Sequence, residues 1–297
     1  MYRVLSSSSL GYQLFNDDDR SLSLHQRRGK VLYHNQGILV GDHVTLDRDG
    51  YIIGIEERKN ELARPHLANS DEMLVLMSLR EPDFSSYLLD KFLSATHFHR
   101  IPSAIVLTKK DLLDDTGIRA IRERMAFYEK LGYPVYLLSL RDKDDSELLK
   151  LKADIRGKAV SLMGQTGVGK SSLINALFPG FNRKVDSRDV NAGRGRHTTK
   201  EVILLPYAEG FLFDTAGFSQ WDIQDIRPRD LAICFPGYEQ YFDHCFFNDC
   251  QHVGSPKGCA VLKAVGEGKL SDDSYRNYLK IYEEVRKNDL WKKRKPL

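Results

Sequence analysis

The sequence predicts a multi-domain protein: an N-terminal β-barrel at residues 1–66, a central α/β domain with a phosphate-binding loop at 67–225, and a C-terminal, mainly helical domain at 226–297. Three observations support this prediction. Short alternating strands fill the first part, continuous apolar runs alternate with helical stretches in the second, and a cluster of cysteines and a histidine followed by helical stretches forms the third. A length of 297 residues also exceeds what one compact core usually needs.

The composition is that of a soluble globular protein, with 41% hydrophobic and 29% charged residues. No apolar run approaches the roughly 18 to 20 residues that span a bilayer, and the N-terminus lacks the apolar core of a signal peptide. We therefore expect a cytoplasmic protein that does not bind membranes. The formal net charge of +3 is too small to make the whole chain a polycation, so any affinity for nucleic acid must come from local basic patches.

Five short segments near the N-terminus have the spacing of β-strands. Leu22 and Leu24 alternate with polar neighbours, as do Val44 and Leu46, which is the period of half-buried strands. The segments are YRVL, YQLF, SLSLHQ, HVTL and YIIGIEE, separated by turn sequences such as NDDD and RDG. Short strands at this density predict a small closed barrel, OB-like or SH3-like, and periodicity does not choose between the two.

The middle of the chain has a different pattern, in which fully apolar runs alternate with amphipathic helical stretches. The apolar runs are MLVLMSL, AIVLT, PVYLLS, AVSLMG, EVILLP and FLFDTAG, and the helical stretches are SYLLDKFLSATHF, IRAIRERMAFYEKLG and SSLINALF. Strands buried on both faces are typical of a mostly parallel sheet that is covered by helices. This region is therefore the predicted nucleotide-binding domain.

A phosphate-binding loop is the strongest motif in the chain. The sequence GQTGVGKSS, from Gly164 to Ser172, follows the strand AVSLM and opens the helix SSLINALF. In this setting, backbone N–H groups and the helix N-terminus form an anion cradle, Lys170 reaches the β- and γ-phosphates, and the Ser171 hydroxyl binds Mg²⁺. The alternative is a glycine-rich turn that matches the motif by chance.

Two further segments are expected near the γ-phosphate. Asp214 begins a D-x-x-G motif that ends at Gly217, and it places a carboxylate at a strand tip for Mg²⁺ and a glycine N–H for the γ-phosphate. Alone, this motif is a common turn. Between it and the phosphate loop lies SRDVNAGRGRHTTKE, a basic, glycine-rich segment expected to close on the nucleotide through Thr199, with Thr198 as the alternative.

The motif Thr108-Lys109-Lys110-Asp111, after the strand AIVLT, matches the guanine-reading sequence of GTPases. A carboxylate at Asp111 can accept the N1–H and 2-amino hydrogens of guanine, and adenine offers neither donor at those positions. The stem of Lys109 can lie along the base. The alternative is that Asp111 only caps a helix beginning at Leu112. Thr108 stands where most GTPases have Asn.

A weaker match follows the strand PVYLL, where Ser139-Leu140-Arg141 is similar to the S-A-K turn that supports the base. The five elements then occur in the order base, base support, phosphate loop, switch one and switch two, which is the usual order rotated. Because a compact α/β domain has its termini close together, such a rotation leaves the pocket intact. The residues expected to hold the nucleotide are Thr108, Lys109, Lys110, Asp111, Ser139, Gly164, Gln165, Thr166, Gly167, Val168, Gly169, Lys170, Ser171, Ser172, Thr199, Asp214 and Gly217.

A metal site is predicted after residue 240. Cys245, Cys250, His252 and Cys259 offer three thiolates and an imidazole, which suits one tetrahedral Zn²⁺ with a structural role. His244 is a rival ligand, and buried or redox-active cysteines are the alternative. Cys234 is expected to lie in the core.

The chain resembles the bacterial small-ribosomal-subunit-dependent GTPase A family, which are circularly permuted GTPases of ribosome assembly. The resemblance covers nearly the whole chain through GDHVTL, IEERKNELARPHLAN, LLDKFL, TKKDLL, GQTGVGKSSLINAL, GRGRHTT, DTAGF and C-x4-C-x-H-x6-C. It implies an N-terminal OB barrel, a permuted GTPase domain and a C-terminal zinc domain that act on the 30S subunit and its 16S rRNA late in maturation. One departure is Ala216 in place of the family's proline.

For catalysis, we expect roles for Lys170, for Thr199 and for His197. Phe218 occupies the position at which Ras-like enzymes carry the glutamine that orients the attacking water, so another group must do so. His197, beside the switch threonines, is the best candidate if switch one folds over the nucleotide. The alternative is a loop histidine that contacts RNA or solvent.

Three functional readings follow from these motifs. The first is a Mg²⁺-dependent GTPase, acting as a monomer, that hydrolyses GTP to GDP on the 30S subunit. The second is a GTP-dependent RNA or protein clamp whose hydrolysis is incidental. The third, an ATPase or kinase, is disfavoured by Asp111.

Three basic clusters are either solvated faces or parts of an RNA-binding surface. They lie at Arg27, Arg28 and Lys30, at Arg194 and Arg196, and at Lys292 to Lys295.

Overall fold

The structure is a computed structural model that describes residues 1–31, 34, 37–63, 65–141, 145–178, 202–207, 209–215 and 223–294. The chain forms two compact units, each built from three separate stretches. The first comprises Met1–Met73, Asp142–Leu162 and Lys170–Ser219, and the second comprises Leu74–Arg141, Met163–Gly169 and Gln220–Leu297. Among the described residues, no helix has the length and apolar character needed to cross a membrane.

The first unit begins with a five-stranded barrel. Its strands are β1 (Tyr2–Ser8), β2 (Gly11–Asn16), β3 (Leu22–His25), β4 (His43–Leu46) and β5 (Ile52–Ile55), in the order β3-β2-β1-β4-β5. A parallel bridge between Arg27 and Ile52 connects the chain after β3 to β5 and closes the barrel. Five strands in a partly open barrel are what an OB fold requires, so the OB-like prediction is confirmed.

The apolar residues of β3 face solvent rather than the barrel core. Leu22 and Leu24 are 52% and 53% exposed. The reason lies in the pairing of β3 with β2, where Ser23 stands opposite Leu14, a fully buried core residue. The alternation therefore identified the strand correctly, but its apolar positions do not mark the buried face.

Five further strands, which include two hairpins, and two helices complete the first unit. The elements are β6 (Glu61–Ala63), β7 (His66–Ala68), α3 (Ser146–Asp154), β11 (Ala159–Met163), α4 (Lys170–Leu177), β12 (Val202–Tyr207) and β13 (Gly210–Thr215). β11 pairs in parallel with β13, whereas β12 pairs antiparallel with β13. The β12–β13 hairpin packs on the barrel, since the rings of Phe15 and Phe211 meet edge to face with centroids 5.2 Å apart. The Arg3 guanidinium lies 4.5 Å from the centroid of the Phe211 ring.

The second unit holds three neighbouring strands and the helices beside them. The strands are most of β8 (Glu72–Ser78), β9 (Ser103–Thr108) and β10 (Val135–Leu137), in the order β10-β9-β8, and the helices are α1 (Ser86–Phe98) and α2 (Asp115–Lys130). Every residue of β8 and β9 is buried, as the continuous apolar runs predict. β9 and β10 pair in parallel here, as β11 and β13 do in the first unit, so the α/β part is mostly parallel, with β12 as the antiparallel exception.

The C-terminal part of the second unit is helical, as the sequence predicts. Its helices are α5 (Pro228–Cys234), α6 (Glu239–Phe242), α7 (Ala260–Gly266) and α8 (Asp272–Arg294). α8 packs along α1, where Glu284 accepts hydrogen bonds from the Tyr87 hydroxyl at 2.7 Å and from the Lys91 ammonium at 2.6 Å. The last helix is therefore attached to the nucleotide-binding part of the chain by specific polar contacts.

A buried carboxylate lies at the centre of this packing. Asp90 on α1 is fully buried, and its two oxygens accept hydrogen bonds from the Tyr128 hydroxyl on α2 and the Asn277 amide on α8, each at 2.7 Å. Burial raises the pKa of Asp90 to about 7, and these hydrogen bonds oppose the shift. Asp90 thus connects three helices through one ionisable group.

This arrangement predicts a pH-dependent contribution to stability. Since native Asp90 keeps its proton to higher pH than the unfolded chain does, its contribution is present in acid and is lost as pH rises towards 7. We expect wild type to lose about 2 kcal/mol of unfolding free energy relative to Asp90→Asn between about pH 5.5 and 8. Urea titrations across this range measure the difference. The exposed control Asp115→Asn should show no such trend, and parallel pH profiles for wild type and Asp90→Asn would contradict the assignment.

Candidate functional site

The phosphate loop connects β11 to α4, which is the strand–loop–helix setting of an anion cradle. Val168 is buried and anchors the loop, whereas Thr166 and Gly167 are exposed and Gln165 is half-buried. Gly164 is required by packing, because a Cβ there would lie 2.5 Å from the Leu76 carbonyl oxygen. One apolar side chain therefore fixes the described loop to the core, while Thr166 and Gly167 at its tip are exposed.

Three polar residues open α4 after the loop. Lys170 is half-buried, and Ser171 and Ser172 are exposed. Burial lowers the pKa of Lys170, since removal from water disfavours the ammonium form. A bound phosphate would supply the opposite charge and favour the protonated lysine, which is the form that binds nucleotide.

Thr108 ties the base-reading motif to the phosphate loop. This buried residue ends β9, and its hydroxyl donates to the Val168 carbonyl oxygen at 2.6 Å. The shorter Thr side chain, where most GTPases have Asn, thus makes a direct hydrogen bond to the loop. This hydrogen bond joins the predicted base-reading segment to the predicted phosphate loop within the second unit.

Asp111 does not cap a helix, so the alternative reading of this residue is wrong. It lies inside a 3₁₀ turn, Lys110–Leu112, and α2 is capped instead by Asp114, whose carboxylate accepts from the Gly117 N–H at 2.8 Å. The Asp111 carboxylate accepts from the Ser139 hydroxyl at 3.2 Å and pairs with the Arg141 guanidinium at 3.2 Å. The weak match Ser139-Leu140-Arg141 therefore lies where a base-supporting turn is expected.

The two lysines of the motif fix its backbone. Lys109 has a left-handed conformation, and its ammonium donates to the Glu81 carbonyl oxygen in the loop after β8. The Lys110 N–H donates to the Leu138 carbonyl oxygen at 3.0 Å, next to Ser139. That the Lys109 stem lies along the base stays a prediction, and the described contact of its ammonium with Glu81 leaves it open.

Asp214 is half-buried near the end of β13. Because β11 and β13 are parallel neighbours, their carboxyl ends lie at the same edge of the sheet. The other predicted γ-phosphate residues, Thr199 with Thr198 as its alternative, and Gly217, lie outside the described residues, as does His197. Their roles stay predictions.

The predicted metal ligands come together in one buried cluster. The donor atoms of Cys245, Cys250, His252 and Cys259 all lie within 4.8 Å of one another. Ligand atoms of a tetrahedral Zn²⁺ with bonds of about 2.3 Å lie roughly 3.8 Å apart, and His252 Nδ1 is 3.7 and 3.4 Å from the Cys245 and Cys259 sulfurs, so a modest contraction of the cluster would fit one ion. The rival ligand His244 is exposed and is not part of the cluster.

The surroundings of the cluster favour metal-binding protonation states. His252 donates from Nε2 to the Ala232 carbonyl oxygen at 3.1 Å, which leaves Nδ1 free of hydrogen and facing Cys245 and Cys259 at 3.7 and 3.4 Å. Burial lowers the pKa of His252, so the imidazole is neutral at pH 7. A metal-oriented tautomer is thus built into the fold.

The sulfur atoms need a counter-charge. Burial raises the pKa of the Cys250 thiol and raises that of Cys259 to about 12, because a buried thiolate without a cation is unfavourable. The Ala260 and Leu262 N–H groups point at the Cys245 and Cys259 sulfurs at 3.4 and 3.5 Å, as donors to thiolates do. The cluster is compatible with a structural zinc ion, and Zn²⁺ would supply the missing charge.

Comparison with known proteins agrees with this geometry. The family model described as RsgA GTPase matches residues 55–224. The small ribosomal subunit biogenesis GTPase RsgA of Shouchella clausii (strain KSM-K16) is 40% identical over 272 residues, which cover 89% of this chain and 91% of that protein.

Two solved structures are similar to the whole chain. YjeQ from Thermotoga maritima has a TM-score of 0.79 at 32% identity, covering 96% of this chain and 97% of its own. YloQ, described as a circularly permuted GTPase, has a TM-score of 0.77 at 31% identity, covering 100% of this chain and 96% of its own. The rotated motif order is therefore a property of the fold and not an accident of sequence. The chain belongs to the RsgA family of GTPases, which hydrolyse GTP.

Proposed function

We propose that this GTPase reads guanine through Asp111, hydrolyses GTP with Mg²⁺, is activated by the 30S ribosomal subunit and acts late in small-subunit maturation. The observation that carries the proposal is the hydrogen bond from Thr108 to the Val168 carbonyl oxygen, with Ser139 beside Asp111. It supports one site in which the base-reading turn and the phosphate loop have a fixed separation before the nucleotide arrives, which reduces the entropic cost of binding.

In this proposal, each end of the nucleotide is held by a different kind of contact. The loop from Gly164 to Ser172 donates backbone N–H groups to the phosphates, and Lys170 adds a positive charge. Asp111 accepts the N1–H and 2-amino hydrogens of guanine. With adenine the carboxylate would lose these donors, so the site should select GTP over ATP.

Hydroxyl and carboxylate oxygens are the ligands that Mg²⁺ prefers, and the first unit offers Ser171 and Asp214 for that role. The predicted third ligand is Thr199. When bound, Mg²⁺ would neutralise charge on the phosphate oxygens. The chain's own contribution is to orient the γ-phosphate through Lys170 and Gly217, and to position the attacking water through His197.

The proposed partner is the small ribosomal subunit, with contacts to 16S rRNA. The support is that a relative with 40% identity is a small ribosomal subunit biogenesis GTPase, together with exposed basic residues on the barrel. Arg28 pairs with Asp47 and Asp49, so Arg27 and Lys30 are the barrel residues with more positive charge to offer RNA. We propose that the protein acts as a cytoplasmic monomer.

The test is GTP turnover by the purified protein with and without isolated 30S and 50S particles. We expect 30S particles to raise turnover at least about tenfold and 50S particles to leave it unchanged, because ordering of switch segments by a partner can supply large rate factors. His197→Ala should lower the stimulated rate by about a hundredfold and leave GDP affinity unchanged. The exposed His244→Ala serves as the control.

Two results would count against the proposal. Stimulation by neither particle would favour a GTP-dependent clamp whose hydrolysis is incidental. Equal stimulated rates for wild type and His197→Ala would exclude the histidine from positioning the water while leaving the 30S dependence intact.

A further inference from the structure

The guanine-reading carboxylate already has two partners in the described structure. Asp111 Oδ1 accepts from the Ser139 hydroxyl at 3.2 Å, and Oδ2 lies 3.2 Å from a terminal nitrogen of Arg141. The Asp111 side chain is 25% exposed and that of Arg141 is 81% exposed. The arginine therefore approaches the carboxylate from the solvent side.

The two partners differ in what they leave for a ligand. Each carboxylate oxygen can accept more than one hydrogen bond, so a compact hydroxyl at Oδ1 can stay when guanine binds. A guanidinium is a planar group with several N–H donors that match a carboxylate bidentately. Guanine presents a similar edge, with N1–H and the 2-amino group on adjacent atoms. A guanine that donates to both oxygens of the carboxylate would therefore compete with Arg141 for Oδ2.

We propose that Arg141 is an internal competitor of guanine, which pairs with Asp111 in the nucleotide-free protein and must leave when GDP or GTP binds. Arg141 thereby sets the affinity for guanine nucleotides and their advantage over adenine nucleotides. This inference rests on the proposed role of Asp111 in reading guanine. It goes beyond that role by assigning a specificity-determining function to a residue outside the T-K-K-D motif.

Competition affects the two bases differently. Guanine gains the carboxylate but must displace the guanidinium, so the arginine weakens its binding. Adenine has no donor pair for the carboxylate, and Arg141 can remain on Asp111 while adenine is bound. Arg141 therefore keeps the Asp111 carboxylate paired when adenine is bound, which removes the penalty that would otherwise exclude adenine. The preference for guanine over adenine nucleotides is lower as a result.

The expected effect is moderate because the pair is open to water. Exposed ion pairs contribute little and are screened by salt, so removal of Arg141 should tighten GDP binding by up to about fivefold at low ionic strength. This gain in GDP affinity should disappear at high salt, because salt already screens the Arg141–Asp111 ion pair of the wild type. Lysine carries a point charge without the planar fork, so Arg141→Lys should bind GDP with an intermediate affinity.

The test is binding of GDP and ADP to the full-length protein by calorimetry, at low and high salt, with wild type, Arg141→Ala and Arg141→Lys. Arg156→Ala is the matched control, because Arg156 is also exposed and pairs with one acid, Glu209, at 2.6 Å. At low salt we expect Arg141→Ala to bind GDP more tightly and ADP more weakly than wild type, and Arg156→Ala to change the affinity for neither nucleotide.

Weaker or unchanged GDP binding by Arg141→Ala at low salt would overturn the inference, because the arginine would then stabilise the bound base or do nothing. Equal tightening of GDP and ADP would also overturn it, since the effect would not depend on the guanine edge. Asp111→Asn separates this outcome from failure of the proposed function. If that variant keeps wild-type preference for GDP over xanthosine diphosphate, then Asp111 does not read guanine at all.

Discussion

Replacing Lys170 with alanine is expected to reduce GTP turnover by at least about a hundredfold, because one preorganised charge at a developing anion is worth roughly 10²–10³ in rate. Lys170 is the first residue of α4 and is half-buried. The loss should appear both without and with 30S particles. The measurement is phosphate release under saturating GTP.

Two controls distinguish a loss of catalysis in Lys170→Ala from a loss of folding and from a loss of positive charge. The thermal melting temperature of Lys170→Ala should be no lower than that of wild type, since burial of the ammonium is unfavourable. Lys130→Ala, at the exposed end of α2, removes a similar charge and should keep full turnover. Wild-type turnover in Lys170→Ala would mean that the phosphate loop is not where GTP is hydrolysed.

Loss of the cysteine–histidine cluster should have the largest effect on stability. A structural Zn²⁺ contributes about 10 kcal/mol or more in small zinc domains, and the four donors here are buried. We expect Cys259→Ser to lose bound zinc and to lower the melting temperature by at least about 10 °C. Metal analysis and thermal melting on the same samples provide the measurement.

The effect should extend beyond the cluster itself. The Tyr275 and Tyr278 hydroxyls on α8 donate to the His252 and Gln251 carbonyl oxygens at 2.9 and 2.5 Å, so disorder around the metal removes support from the last helix. Cys234→Ala and His244→Ala are controls that should retain one zinc per chain, since neither residue belongs to the cluster. Folded Cys259→Ser with wild-type melting and no zinc would refute a structural role for the metal.

Local sequence patterns predicted the elements with strong periodicity. The helix SYLLDKFLSATHF matches α1 at both ends, where the Ser85 hydroxyl accepts from the Leu88 N–H. α3 was not predicted, because it is short and charged, and only Leu148 and Leu151 are buried. The outward orientation of Leu22 and Leu24 also escaped prediction, because the pairing partner that decides which face is buried is not visible in a single strand.

In the candidate sites, too, the sequence predicts residues that share a motif but does not predict contacts between residues far apart in the chain. Residues joined by a motif, such as those of the phosphate loop or the cysteine cluster, were identified from their spacing. The contacts of Asp111 with Ser139 and Arg141 depend on how β9 and β10 pair, and the hydrogen bonds of Asp90 span 38 and 187 positions. Asp90 in the segment LLDKFL has no local feature that distinguishes it from an exposed helix residue.

The position of Asn277 has a consequence for the order in which the protein is made. Asp90 is synthesised 187 residues before the amide that binds it, which corresponds to roughly 10 to 40 s at ordinary bacterial rates of translation. During that time α1 lacks the partner for one oxygen of its buried carboxylate. We therefore expect the nucleotide-binding part to reach its final packing only when α8 has left the ribosome, so that a truncated product does not become an active GTPase.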